Sequence, residues 1–181
     1  MKNSICRVAA IACSVFAALA GGCAVGDYEK LKEKAEFEVV VFEGADYDAA
    51  FAAALDAVQT HFGVVEFSKF AGVIVSDFRR GGFERVEDEL RRTEYFEKAL
   101  VGLDELGEGK IELRVAVTKY VDTVVDISGP ADKPEFVRDY VAHEPDSYAR
   151  RVIIGDVSRS LKKEPAEHRI IEPERDKAAN P

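Results

Sequence analysis

Apolar residues along this chain follow different rhythms, and each rhythm predicts a different kind of element. From residue 47 to 62, Phe51, Ala54, Leu55, Val58 and Phe62 fall at helical spacing and share one face. Asp46 can cap that helix, and Gly63 directly after Phe62 is a natural stop, since glycine tolerates the left-handed conformation there. Lys110–Lys119, KIELRVAVTK, instead alternates Ile111, Leu113, Val115 and Val117 with polar or small neighbours. That period of two predicts a strand with one buried face. FEVVVF, residues 37–42, is β-branched and aromatic throughout and reads as a strand ended by Gly44. Val64–Ser68 and Gly72–Phe78 read as two short strands, with Gly72 serving the turn between them.

Other segments are less clean. Residues 79–92, RRGGFERVEDELRR, are charged around a glycine pair and read as a loop leading into a short helix or an exposed strand. Residues 94–103 fit either period; strand is preferred because Gly107 and Gly109 make a good hairpin turn to the next segment. Val121–Ile127 continues as a further strand until Ser128-Gly129-Pro130, and residues 134–142 read as a turn or two of helix. From 147 to 163, Ala149, Val152, Ile153, Val157 and Leu161 line one face of a second amphipathic helix, which Pro165 ends. The proline-bearing, charged stretch 164–181 is expected to be a disordered tail. The order predicts a single α+β domain over 37–163. It has two layers and a mainly antiparallel sheet, with a β-α-β-β start and helices packed on one face.

The amino-terminal segment has a third pattern. MKNSICR supplies Lys2 and Arg7, and an uncharged run follows, VAAIACSVFAALAGG, Val8 to Gly22. It ends in Leu19-Ala20-Gly21-Gly22-Cys23, which resembles the lipobox of bacterial lipoproteins, where small residues precede an invariant cysteine. The large aliphatic residue usual three positions before the cysteine here stands four before it, as Leu19. The resemblance implies a signal peptide over 1–22, recognised by its peptidase through Leu19, Ala20, Gly21 and Gly22, and a diacylglyceryl group on Cys23. Residues 23–36 would then be the lipidated cysteine followed by a polar tether or the first turns of a charged helix. Ala24 stands where aspartate signals inner-membrane retention, so the resemblance implies an outer membrane facing the periplasm if the organism is Gram-negative. Two alternatives remain: an ordinary cleaved secretory signal, or an uncleaved spanning helix over the nineteen uncharged residues from Val8 to Gly26. Each places the domain outside the cytoplasm, because Lys2 and Arg7 hold the amino terminus inside.

A second resemblance rests on DYDAAFAAALDAVQTHFGVVEFSKFAGVIVSDF. It is similar to the helix–glycine–strand–turn–strand unit of small lipoprotein domains, such as those of the outer-membrane β-barrel assembly machinery. It carries core pattern and turn glycines only, and implies a fold type without functional residues.

Charge narrows the partners. The chain has a formal net charge of −9; without residues 1–22, which hold only Lys2 and Arg7, 23 basic side chains face 34 acidic ones, a balance of −11. Such a body is repelled by phosphate backbones, so no nucleic acid is expected as a partner, nor adhesion to anionic lipid through basic patches. Membrane attachment is therefore expected from the amino-terminal segment, through Cys23 where the lipobox is used, and not from surface charge. Cys6, Cys13 and Cys23 are the three cysteines, so a chain cleaved at Cys23 has neither a disulfide nor thiolate zinc ligands in its folded part.

Candidate chemistry is sparse. His61 sits next to last in the first helix, His143 adjoins Glu144, and His168 falls in the expected tail, so no histidine pair has metal-ligand spacing. No serine sits in G-x-S-x-G. Gly81-Gly82 and Gly107-x-Gly109 form no phosphate cradle, and the many carboxylates read as a solvated surface. No catalytic residue, metal or cofactor is assigned. Arg79-Arg80, Arg91-Arg92 and Arg150-Arg151 could line one face for an acidic partner or a lipid headgroup, or simply pair with neighbouring acids. The expected function is a non-catalytic structural or interaction module of the cell envelope, docking on an envelope protein partner. The alternative is a carrier of small apolar ligands, with a groove between the 47–62 helix and the 110–119 strand.

Overall fold

Two glycines in a tight turn organise the sheet. In the computed structural model, Gly107 (φ 86°) and Gly109 (φ 70°) flank Glu108 in left-handed backbone, and this turn joins the two longest strands. The structure describes residues 24–63, 65–85, 92–127 and 135–173. Its elements in chain order are α1 (residues 24–32), β1 (Phe37–Glu43), α2 (Tyr47–Phe62), β2 (Val65–Ser68), β3 (Val73–Ser76) and β4 (Arg79–Arg85). They continue with β5 (Arg92–Gly107), β6 (Lys110–Ile127), β7 (Glu135–Pro145), α3 (Ser147–Leu161) and β8 (Glu167–Ile171).

The eight strands form one open sheet in the order β2-β3-β5-β6-β1-β8, and every pairing in it is antiparallel. The β5–β6 hairpin is longer than its neighbours. Near its turn it is flanked by β3 and β1; farther out, β4 takes β3's place beside β5 and β7 takes β1's place beside β6. The α+β class, the mainly antiparallel sheet and the helix over 47–62 agree with the hydrophobic pattern. Asp46 caps α2 by accepting from the Ala49 N–H at 3.0 Å, and the Gly63 N–H closes it on the Gln59 carbonyl.

Side-chain alternation divides the core between the two faces of the sheet. Val40 and Phe42 of β1, Ile74 of β3, Val101 and Leu103 of β5, and Ile111, Leu113, Val115 and Val117 of β6 point to one face. There they meet Ala50, Phe51, Ala54, Ala57, Val58 and Phe62 of α2 and Ile153 and Val157 of α3. Phe37, Val39, Val73, Val75, Leu100 and Ala116 point to the other face and pack with Ala24 and Tyr28 of α1. Residues 24–32, expected to be a tether or the first turns of a charged helix, are thus helical and buried along one side. Ala24, one residue past Cys23, is 0% exposed.

Two expectations need correction. Residues 135–145 form strand β7, not a turn or two of helix. Their Phe, Val and Tyr content suits either state, and the open flank of β6 supplies the partner that decides it. The expected disordered tail contains strand β8, paired with β1 from Phe37↔Ile171 to Val41↔Glu167. Its side chains are all exposed, so no hydrophobic pattern marks it; its stability comes from the backbone groups that β1 would otherwise leave open. Of the 79–92 segment, Arg79–Arg85 is strand, and residues 86–91 lie outside the described residues, as do 128–134 and 174–181.

Candidate functional site

The α3 sequence SYARRVIIGDVSRSL carries two different stripes. Ala149, Arg150, Ile153, Ile154 and Val157 face the sheet and are buried. The opposite stripe is Tyr148, Arg151, Gly155, Arg159 and Lys162, spaced three or four residues apart and therefore aligned along the outer surface. An open hollow of about 490 Å³ runs beside it, lined by Arg151, Ile154, Gly155, Arg159, Lys162 and Lys163 among others. A second hollow of about 390 Å³ adjoins it at Tyr148, Arg151, Val152, Gly155 and Arg159. Gly155 contributes no side chain of its own, and the Arg159 guanidinium leans back over it, with Nη1 3.5 Å from where a Cβ would stand.

Local bonds hold the cations in place. Arg151 donates from Nε to the Ser147 carbonyl at 3.2 Å, one helical turn back. Arg159 pairs with Asp156, which also meets His61 Nε2 of α2 at 2.6 Å. Lys162 sits in the left-handed conformation (φ 53°) as the C-cap, its N–H bonding the Arg159 carbonyl. This turn carries Lys163 Nζ to the Glu43 carbonyl at 3.0 Å. Asp156 and Glu164 are the acids within the groove's reach, against Arg151, Arg159, Lys162 and Lys163. On a chain of net charge −9 the groove is therefore a local cationic exception.

A second charged cluster lies beneath α3. Arg150 is 2% exposed, with Nη2 2.7 Å from Glu36 Oε1 and Nη1 donating to the Glu36 carbonyl at 3.0 Å. Its Nε stands 3.7 Å from Glu38 Oε2, and Glu38 (4% exposed) takes His168 Nε2 of β8 at 2.8 Å through its other oxygen. These contacts join α3, β1 and β8. The cluster is thus a structural tie between these three elements. On the opposite face Arg114 and Arg169 both pair with Glu112, and Arg114 also with Asp104.

Two of the three arginine pairs can be placed, and they are used differently. Arg79 is used inside the fold: it binds Glu97, donates to the His61 carbonyl at 2.7 Å and lies 4.2 Å from the centre of the Phe62 ring. Arg150 is buried while Arg151 is exposed on α3. Arg91 lies outside the described residues. His61, read as a helix-end histidine, does end α2, but it is also the link to Asp156. His168 was assigned to the tail and instead completes the buried cluster; no feature near it in sequence points to Glu38, 130 residues away. Leu19, Ala20, Gly21, Gly22 and Cys23 lie outside the described residues. Among the described residues no group of three His, Cys, Asp or Glu side chains is placed to hold a metal ion, and no helix is long and apolar enough to cross a membrane. Comparison with protein-family models, with curated proteins and with solved structures finds no match for the chain.

Proposed function

We propose that this chain is a lipid-anchored module of the cell envelope, held through Cys23 and acting by contact with an envelope protein rather than by catalysis. The observation that carries the contact role is the open sheet. It ends on β2 and β8 near the hairpin turn and on β4 and β7 farther out, and among the described residues no further strand covers β2 or β8. Phe67 of β2 and Ile170 and Ile171 of β8 are exposed along those edges, and Phe70 in the turn after β2 is fully exposed (104%). Open edges and exposed apolar side chains are what a strand-adding or docking partner uses.

The anchor rests on the lipobox Leu19-Ala20-Gly21-Gly22-Cys23. Two or more acyl chains on Cys23 give lasting attachment where one gives only marginal binding. Because consecutive Cα atoms are about 3.8 Å apart, acyl chains on Cys23 start one residue from Ala24, which is packed on the sheet. The domain then stands close to the bilayer with its α1 face on the membrane side. Ala24 in place of aspartate favours the outer membrane, periplasmic side, in a Gram-negative cell.

The carrier reading has less support. It needs a groove between α2 and β6, and that space is taken by α3, whose Ile153 and Val157 pack in one cluster with Leu113, Val115 and Val117. The test of the anchor is metabolic labelling with a palmitate analogue in wild type and Cys23→Ala. Label in the wild type and none in the variant is expected; equal label in both, or none in either, overturns the assignment.

A further inference from the structure

We infer that the cationic groove on the outer face of α3 binds an extended, acidic polypeptide segment of a partner. The first argument is spacing. Arg151 and Arg159 are eight residues apart on one stripe, about 12 Å along the axis at 1.5 Å per residue. In an extended chain, side chains four residues apart point the same way and are about 13 Å apart. Two carboxylates at about that spacing can meet Arg151 and Arg159, whose guanidinium leans back over Gly155 and lines the same hollow. Lys162 and Lys163 continue the cationic track past the end of the helix.

The second argument is chemistry. Arg151 is braced by the Ser147 carbonyl and not by a carboxylate, so its outer N–H groups can take a forked carboxylate. Tyr148, 77% exposed at the start of the groove, offers an aromatic surface with a polar tip. Asp156 and Glu164 oppose an acidic ligand, but Asp156 is engaged by both His61 and Arg159. The rest of this acidic chain repels an acidic partner, so attraction is confined to the groove and fixes where the segment lies.

The choice of a polypeptide over a lipid headgroup rests on the proposed anchoring at Cys23. α1, which follows Cys23, and α3 pack on opposite faces of one sheet, so the groove points away from the anchored side.

The test measures fluorescence anisotropy of a labelled peptide of alternating glutamate and serine, added to the full chain in non-ionic detergent micelles. Saturable binding that weakens as salt is raised is expected. Arg151→Glu combined with Arg159→Glu should weaken it about tenfold, with unchanged circular dichroism because both side chains are exposed. Lys162→Glu alone should weaken it less, and replacement of both arginines by lysine should give intermediate binding, since the charge stays and the fork is lost. No binding by the wild type, or equal binding by the double-reversal variant, overturns the inference. So does displacement of the peptide by inorganic phosphate at equal concentration, or preferential binding of Cys23→Ala protein to anionic vesicles through the same two arginines. Cys23→Ala should bind the peptide as the wild type does, so a failure of the anchor and a failure of the groove are read separately.

Discussion

The Tyr28 hydroxyl lies directly over Gly102: a Cβ built on Gly102 would stand 2.3 Å from that oxygen and 3.1 Å from the ring carbon bearing it. Tyr28 is the central contact of α1, with its ring 6.1 Å from that of Phe37 and its side chain buried among Val39, Val73, Val75 and Leu100. Gly102 is thus the place where the sheet makes room for α1. Gly102→Ala should push Tyr28 outward and destabilise the fold by about 1–3 kcal/mol, the range for overpacking a filled core. The loss should be concentrated in α1, so amide exchange over residues 24–32 should accelerate while the β5–β6 ladder stays protected. Combining Gly102→Ala with Tyr28→Leu should cost less than the sum of the two single changes. Strict additivity, measured by urea denaturation, would show that the two residues do not share the site.

Arg150 supports a second prediction, because it is the charge that neutralises two carboxylates beneath α3. Removing it leaves buried Glu38 opposed only by His168. Arg150→Met should therefore cost about 3–5 kcal/mol, the range for breaking one side of a buried ion pair. Arg150→Met together with Glu38→Leu removes the arginine and the more buried of its two carboxylates, leaving the partly exposed Glu36, and should recover most of that loss. If the double variant is as unstable as the single one, the damage comes from lost packing and not from stranded charge.

Much of this fold was legible from side-chain pattern, and what was missed lacks such a pattern. Phe51, Ala54, Val58 and Phe62 mark α2 because one face of that helix is buried and the other wet. Ile111, Leu113, Val115 and Val117 mark β6 for the same reason with a period of two. β8 shows nothing comparable, since it is held through backbone hydrogen bonds and the long-range pairs His168–Glu38 and Arg169–Glu112, and it buries no apolar side chain. α1 was obscured by the many charges of DYEKLKEK, while Ala24 and Tyr28 are buried in the core with Val25 and Leu31 packed against it. Of the groove, Arg151 was visible as half of an arginine pair. The sequence did not show that Arg150 would turn inward and Arg159 and Lys162 would join Arg151, because that depends on which stripe of α3 meets the sheet.

Buried phenols make the fold sensitive to alkali. Burial raises the pKa of both Tyr28 and Tyr120 above the usual 10.0, in Tyr28 against an opposing pull from Arg114. Lys119 is also raised, chiefly by its side-chain hydrogen bond with Glu144. A folded-state pKa above the unfolded one means that the folded protein holds the proton more tightly. The corresponding stability is fully present below the unfolded pKa of about 10 and is lost as pH rises through the folded value. Denaturation midpoints should therefore hold steady toward pH 10 and fall above it. Tyr28→Phe should flatten that fall. A decline as steep in the variant as in the wild type would assign the alkaline loss to other groups.

The exposed strand β8 yields the last prediction, since its removal changes the sheet without emptying the core. Ending the chain at Glu164 deletes the partner of Phe37 through Val41 and removes His168 from Glu38 and Arg169 from Glu112. The thermal midpoint should drop by roughly 5–10 °C, consistent with a loss of a few kcal/mol in a domain of this size. The freed backbone of β1 becomes an open edge beside a buried hydrophobic face, so the shortened chain should also associate as concentration rises. Adding a synthetic peptide of residues 165–173 should reverse both effects, because it can re-form the same antiparallel register on β1. A shortened chain that keeps the wild-type midpoint and stays monomeric at high concentration would mean that β8 contributes nothing to the stability of β1.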